Sequence, residues 1–163
     1  MDSILTPDEF LKMVSEDVFG CWWWLGKAYE VDDQHVYGKV HAGGRSRYAH
    51  RVSHELFIGP IAEGDQVDHR CRVTLCVNPM HLRSATRSQN EQNRGGAQRN
   101  SASGVRGVIW AKWAGKWRVG VQHQGKTHRP SPAYFSRIED AEAAAVQLRN
   151  ELFTHNDADR IPV

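Results

Sequence analysis

Apolar and polar positions divide the chain into four stretches. In "SILTPDEFLKMVSE", residues 3–16, Phe10, Leu11 and Val14 recur at helical spacing. Thr6 as N-cap and Pro7 at the first helical position predict a short helix there. The following stretch, "CWWWLGKAYEVDDQHVYGKVHAGGRSRYAHRVSHELFIG", breaks into short runs at its glycines. It predicts several short strands and then a helix from about Tyr48 to Phe57. Residues 60–93 carry the densest chemistry and end in a short helix, which Thr86 and Gln89 open as a capping box. "NRGGAQRNSASG" has no apolar periodicity and reads as a linker. Beyond it, "VRGVIW", "KWRVGVQH" and "KTHRPSPAYF" predict three strands, the third cut short or pushed to an edge by its two prolines. "SRIEDAEAAAVQLRNELF" predicts a helix, with Ser136 and Glu139 as its capping box and Ala141, Ala145, Leu148 and Leu152 on one face. No internal repeat interrupts this order. Two small domains are expected, residues 1–93 and 104–163, joined by 94–103.

Composition narrows the class. The chain is 40% hydrophobic with six tryptophans, which suits a folded protein. No apolar run approaches the roughly 18 residues a membrane span needs. The acidic start "MDSILTPDEFLKMV" lacks the basic region of a signal peptide, so a cytoplasmic location is expected. Three cysteines are too few for a disulfide scaffold, and in a reducing compartment Cys71 and Cys76 read as metal ligands. The net charge of +2 hides a gradient: residues 1–60 carry −3, 61–103 carry +2 and 104–153 carry +4. The basic later segments favour a polyanionic partner.

The chemistry concentrates in "VDHRCRVTLCVNPMHL", residues 67–82. Aspartate is a hard oxygen ligand for a cation such as Mg2+, and a neighbouring histidine can take a proton from water. Asp68 and His69 therefore suit phosphodiester hydrolysis, with Asn90 on the following helix supplying an amide oxygen to the same cation. "C-x4-C-x4-H" offers three zinc ligands in Cys71, Cys76 and His81, and Cys21 in "GCWWWLG" is the fourth. His50, His54 and His41 are alternatives to His81. Arg47 and Arg51 are candidates for DNA phosphates, while His50 and His54 at i, i+4 read as the polar edge of an apolar helix.

Residues 20–93 resemble the HNH endonucleases of the ββα-metal class, in particular their phage and homing types. The Asp68-His69 pair, a middle residue about a dozen positions later and Asn90 in the helix carry the likeness. It implies that Asp68 and Asn90 hold a catalytic Mg2+ or Mn2+, and that His69 is the general base. The middle residue is His81, orienting His69 through its backbone or fixing the second strand, or else Asn78. Structural Zn2+ is expected beside the catalytic cation. Residues 103–153, through "GVRGVIW", "KWRVGV", "YF" and "EDAEAAAVQLRN", resemble the DNA-binding domain of plant ethylene-response factors. That likeness implies a sheet in the major groove of double-stranded DNA, read by Arg106, Trp110, Lys112, Trp113, Trp117, Arg118 and Arg129. "HRPSPAYF" departs from that family's pattern, and Trp117 is equally a core candidate.

The expected fold class is α+β: a small ββα-metal nuclease domain followed by a three-stranded sheet packed on one helix. The expected activity is metal-dependent DNA cleavage of the homing type, by a monomer that nicks or a homodimer that cuts both strands. No small-molecule cofactor is expected. The rival reading is a zinc-stapled DNA-binding protein without turnover, which has no need of Asn90. A nuclease acting on RNA is a weaker rival, because A-form RNA hides its major groove.

Overall fold

The computed structural model describes residues 5–32 and 35–160. The chain is a mixed α+β protein of several small sheets, and it divides into two compact units between Glu91 and Gln92. Among the described residues no helix is long and apolar enough to cross a membrane.

In the first unit, helix α1 spans Pro7–Leu11. Thr6 caps it as the sequence predicts: its N–H donates to Glu9 Oε2 at 2.9 Å, and Glu9 N–H donates to Thr6 Oγ1 at 3.3 Å. The helix is one turn long, not the fourteen residues expected from the spacing, and positions 3 and 4 of that expectation lie outside the described residues. Strand pairing replaces its second half. Strand β1 (Val14–Glu16) runs antiparallel to β2 (Trp22–Trp24), with Val14 opposite Trp24. Phe10, buried in the helix, packs against Trp24 at 5.1 Å between ring centroids.

Strands β3 (Ala28–Asp32), β4 (His35–Ala42) and β5 (Arg45–Tyr48) form an antiparallel sheet in that order. Helix α2 (Ala49–Phe57) follows with Tyr48 as its N-cap. Phe10, Trp24, Val40, Ala42, Ala49, Val52 and Val77 make the core of this unit. Strand β6 (Gln66–His69) pairs antiparallel with β7 (Leu82–Ala85), placing Asp68 opposite Arg83 and His69 opposite Leu82. The chain between them closes with a 3-10 turn at Pro79–His81. Helix α3 (Arg87–Gln92) then starts at the expected capping box, with Thr86 N–H on Gln89 Oε1 at 2.9 Å and Gln89 N–H on Thr86 Oγ1 at 3.3 Å.

In the second unit, β8 (Val108–Ala111) and β9 (Lys116–Val119) form a hairpin, and β10 (Val121–His123) pairs with β11 (Lys126–His128) in another. The expected third strand is split at its prolines. Its first part is β11; its second, β12 (Tyr134–Phe135), joins β9 at the edge of a three-stranded sheet ordered β12-β9-β8. Helix α4 (Ile138–Leu152) lies on this sheet, and Ala141 and Ala145 meet Val108 and Val119 in the core. The expected Ser136–Glu139 box does not form, because Arg137 is the N-cap and its side chain makes no cap bond. A short helix α5 (Asp157–Arg160) completes the unit, tied to α4 by Arg149, whose Nε and Nη2 meet Asp159 at 2.6 and 2.9 Å.

Packing around Trp24 tolerates no extra atom. A Cβ on Gly38 would lie 2.4 Å from Trp24 Cδ1 and 3.1 Å from the Ala49 Cβ. Gly38→Ala is therefore expected to cost about 1–3 kcal/mol through overpacking, read as a lower urea midpoint with an unchanged slope.

Candidate functional site

Two backbone pairings bring the metal-ligating residues of the first unit together. Strand β2 continues its pairing into the loop before the 3-10 turn: Val77 N–H donates to Trp22 O at 2.8 Å, and Trp23 bridges to Cys76. This sets Cys21 beside Cys76. The turn leading into β2 is held by Asp17, whose carboxylate accepts from Phe19 N–H and Cys21 N–H at 2.9 Å each and from Trp23 Nε1 at 2.7 Å. Asn78 ties the same loops together, its Nδ2 donating to Gly20 O at 2.6 Å and its Oδ1 accepting from Met80 N–H at 2.9 Å.

The result is a cluster of Cys21, Cys71, Cys76 and His81 whose ligand atoms all lie within 4.8 Å of one another. His81 Nδ1 is 3.6 Å from both the Cys21 and the Cys76 sulfur. In a tetrahedral zinc site with ordinary Zn–S and Zn–N lengths, neighbouring ligand atoms are about 3.5–3.8 Å apart. The donor set and these spacings fit zinc. Protons are shared unequally among the thiols. A hydrogen bond from Cys71, helped by Asn78 N–H and His81, pulls Cys76 down to about 5. Burial pushes Cys21 up to about 11, and the bond to Cys76 keeps Cys71 protonated. A bound cation takes the place of such protons, so a Cys3His cluster grips metal more weakly as pH falls. His41 is exposed on β4, His54 Nδ1 is taken up by Gly59 O at 3.0 Å and His50 lies beside His69, so none of the three joins the cluster.

His69 ends β6 and is buried. Its Nε2 lies 3.0 Å from the carbonyl oxygen of Cys76. A carbonyl can only accept, so Nε2 carries the hydrogen and Nδ1 carries the lone pair. Burial pulls its pKa down to about 4, against the opposing pull of the Cys76 carbonyl and Asp68, so the ring is neutral at neutral pH. Around it stand His50, at 4.7 Å between centroids, and Tyr37, at 6.3 Å. His50 is pushed down to about 2 by burial and by the neighbouring imidazole, and its Nδ1 has no hydrogen-bond partner among the described residues. Sequence reasoning passed over this pairing, because only the packing of α2 on the β6 strand end reveals it.

Asp68 is buried and ion-paired with Arg83, Nε to Oδ2 at 2.8 Å. Asn90 donates from Nδ2 to Gln66 Oε1 at 2.6 Å. Gln66 and Asp68 stand two apart on β6, so their side chains share one face of the strand. Asn90 thus reaches the Asp68 face with its amide nitrogen engaged, which leaves its Oδ1 the atom suited to a hard cation. A buried carboxylate with an amide oxygen on the same face is a donor set that fits Mg2+ or Mn2+. Arg83 is the main residue that the sequence reading missed; its only signal was a position in "HLRSAT" that the hairpin register sets opposite Asp68.

The arginines and tryptophans proposed for DNA are placed unequally. In the first unit Arg47 is ion-paired with Glu55, and Arg51 donates to Asp65 O at 3.5 Å. In the second unit Arg106 donates from Nη1 to the carbonyls of Gln92 and Arg94 at 3.0 and 2.7 Å, and its guanidinium lies over the Phe153 ring, so it is tied into its own unit. Trp117 is half-buried against the core under α4. Trp110 and Trp113 remain 46% and 79% exposed, beside exposed Lys112 and Arg129 and half-buried Arg118.

Replacing one ligand should show whether the cluster holds metal. Protein prepared without added metal is expected to carry one zinc per chain by elemental analysis, and Cys21→Ser to carry far less. The variant's melting temperature should fall, and strong chelators should lower the unaltered protein's melting temperature in the same direction.

A model of the HNH endonuclease family matches residues 47–92, the segment that runs from the end of β5 to α3 with Asp68, His69, Cys71, Cys76, His81, Arg83 and Asn90. No curated protein and no solved structure matches the chain. Together, the matched segment and the cluster support an HNH nuclease domain with a site able to bind metal.

Proposed function

We propose that the protein is a metal-dependent endonuclease that hydrolyses phosphodiester bonds in double-stranded DNA, with the first unit as a ββα-metal nuclease domain. One observation carries the reading beyond the family match: the 3.0 Å contact of His69 Nε2 with the carbonyl oxygen of Cys76. The Nε2 hydrogen is committed to Cys76 O, so the nitrogen with the lone pair is Nδ1. A neutral imidazole held in one tautomer and one orientation is what a general base requires.

In this mechanism His69 Nδ1 takes the proton of the attacking water, and the Cys76 carbonyl steadies the positive charge that then develops on the ring. Asp68 and Asn90 would hold Mg2+ or Mn2+, which supplies charge stabilisation on the phosphate and leaving group when bound. Cys21, Cys71, Cys76 and His81 would hold zinc in a structural role in this reading, since four protein ligands would leave no open position for chemistry. His81 serves as a zinc ligand, and orienting His69 falls to the backbone of Cys76 instead. Asn78 fixes the ligand loop. The reading extends to the second unit as a DNA-binding domain that resembles ethylene-response factors. Its candidates for contact are Trp110, Lys112, Trp113, Arg118 and Arg129, which the fold leaves at least partly accessible, whereas Arg106 and Trp117 serve the unit's own structure. The likeness to phage and homing nucleases makes a mobile-element role the proposed biological setting.

Conversion of supercoiled plasmid to nicked or linear form, with Mg2+ or Mn2+ added, tests the activity. The protein should cut, and His69→Ala should reduce the rate by about 100- to 10,000-fold, the range a general base contributes. Equal cutting by both would remove His69 from the mechanism. DNA binding by both without cutting would favour the zinc-stapled binding protein.

A further inference from the structure

The geometry points to Arg83 as the residue that couples cation binding to DNA binding: its guanidinium holds the Asp68 carboxylate until a DNA phosphate draws it away. This rests on the reading of Asp68 as a cation ligand proposed above. Asp68 and Arg83 stand directly opposite in the β6–β7 register, which puts both side chains on one face of the hairpin. Arg83 Nε and Nη2 lie 2.8 and 2.7 Å from the same carboxylate oxygen, Oδ2. Two guanidinium nitrogens thus converge on one carboxylate oxygen.

The Asp68 side chain is 5% exposed and that of Arg83 is 21% exposed. A carboxylate buried to that degree is costly to leave without a positive partner. Arg83 is such a partner, built into the strand opposite. A divalent cation on Oδ2 would compete with the guanidinium for the same lone pairs, and the two positive charges repel. Arg83 needs another anion before it can leave. Phosphate is the anion that guanidinium recognises best, and the part of Arg83 that reaches solvent is where a DNA backbone can meet it. Each charged group has a partner of opposite sign at both stages: first Asp68 with Arg83, then Asp68 with the cation and Arg83 with the phosphate. Because binding equilibria are reciprocal, DNA should tighten the cation and the cation should tighten DNA by the same factor. The cation is thus held firmly only when substrate is present.

Mn2+ titrations followed by the free-ion electron paramagnetic resonance signal test this. The zinc-loaded protein would carry His69→Ala, so that DNA stays intact, and would be titrated with and without a short duplex. In that background DNA should tighten Mn2+ by on the order of 10-fold or more, within the usual range of site-to-site coupling. Adding Arg83→Gln should tighten Mn2+ binding in the absence of DNA and remove most of the coupling. Equal coupling with and without Arg83 would overturn the inference while leaving the cation site standing. No Mn2+ binding in either condition would overturn both. Arg83→Lys keeps a positive charge opposite Asp68 and carries the test if the glutamine variant does not fold. It should bind Mn2+ without DNA as weakly as its parent, and tight DNA-free binding by it would contradict the competition.

Discussion

Four side chains from two separated stretches of the first unit, Cys21 on one side and Cys71, Cys76 and His81 on the other, meet within 4.8 Å, and the rest of the site depends on that meeting. The loop that carries three of them runs between β6 and β7 and buries Cys76 and Val77 against the core of the unit. Its order comes from Val77 on Trp22, from Asn78 on Gly20 and from the cluster itself. Cys76 is where structure and chemistry join. Its sulfur belongs to the cluster, and its carbonyl oxygen accepts the Nε2 hydrogen of His69 at 3.0 Å. A metal that fixes the sulfur therefore fixes, one residue's backbone away, the acceptor that decides which nitrogen of His69 holds the lone pair. Ligand clusters usually orient their own first partners by hydrogen bonds. Here the dependence runs outward, from the cluster to the proposed base.

The two faces of β6 have opposite electrostatic characters. His69 sits among His50 and Tyr37, where burial keeps both imidazoles neutral. Asp68, one residue earlier, points to the other face and into a buried ion pair. Removing one member of such a pair is costly, because the remaining charge is stranded in a poorly solvated place. The site thus sets a neutral imidazole next to an ion-paired carboxylate.

The sequence revealed what is decided locally. Thr6 with Glu9 and Thr86 with Gln89 form the expected boxes because each bond lies within one helical turn. The ends of elements were less legible. Helix α1 stops at Leu11 because Val14–Glu16 pair with Trp22–Trp24, a contact that spacing within 3–16 does not show. Ser136 has the right chemistry for a cap but sits one position too early, and Arg137 takes the place. The ligand set was readable from residue types, since few other functions bring three cysteines and a histidine together. The partner of His69 was not, because a backbone carbonyl has no signature in the sequence. The bonds of Arg106 are hidden for the same reason: its acceptors are the main-chain oxygens of Gln92 and Arg94.

Nitrogen NMR of the histidine rings tests the link between the cluster and the base most directly. In zinc-loaded protein at neutral pH, His69 should show a protonated Nε2 and an unprotonated Nδ1, and removing zinc should broaden it into a mixture of tautomers. A His69 that carries its hydrogen on Nδ1 in the zinc-loaded protein, or whose spectrum is indifferent to zinc, would contradict the account.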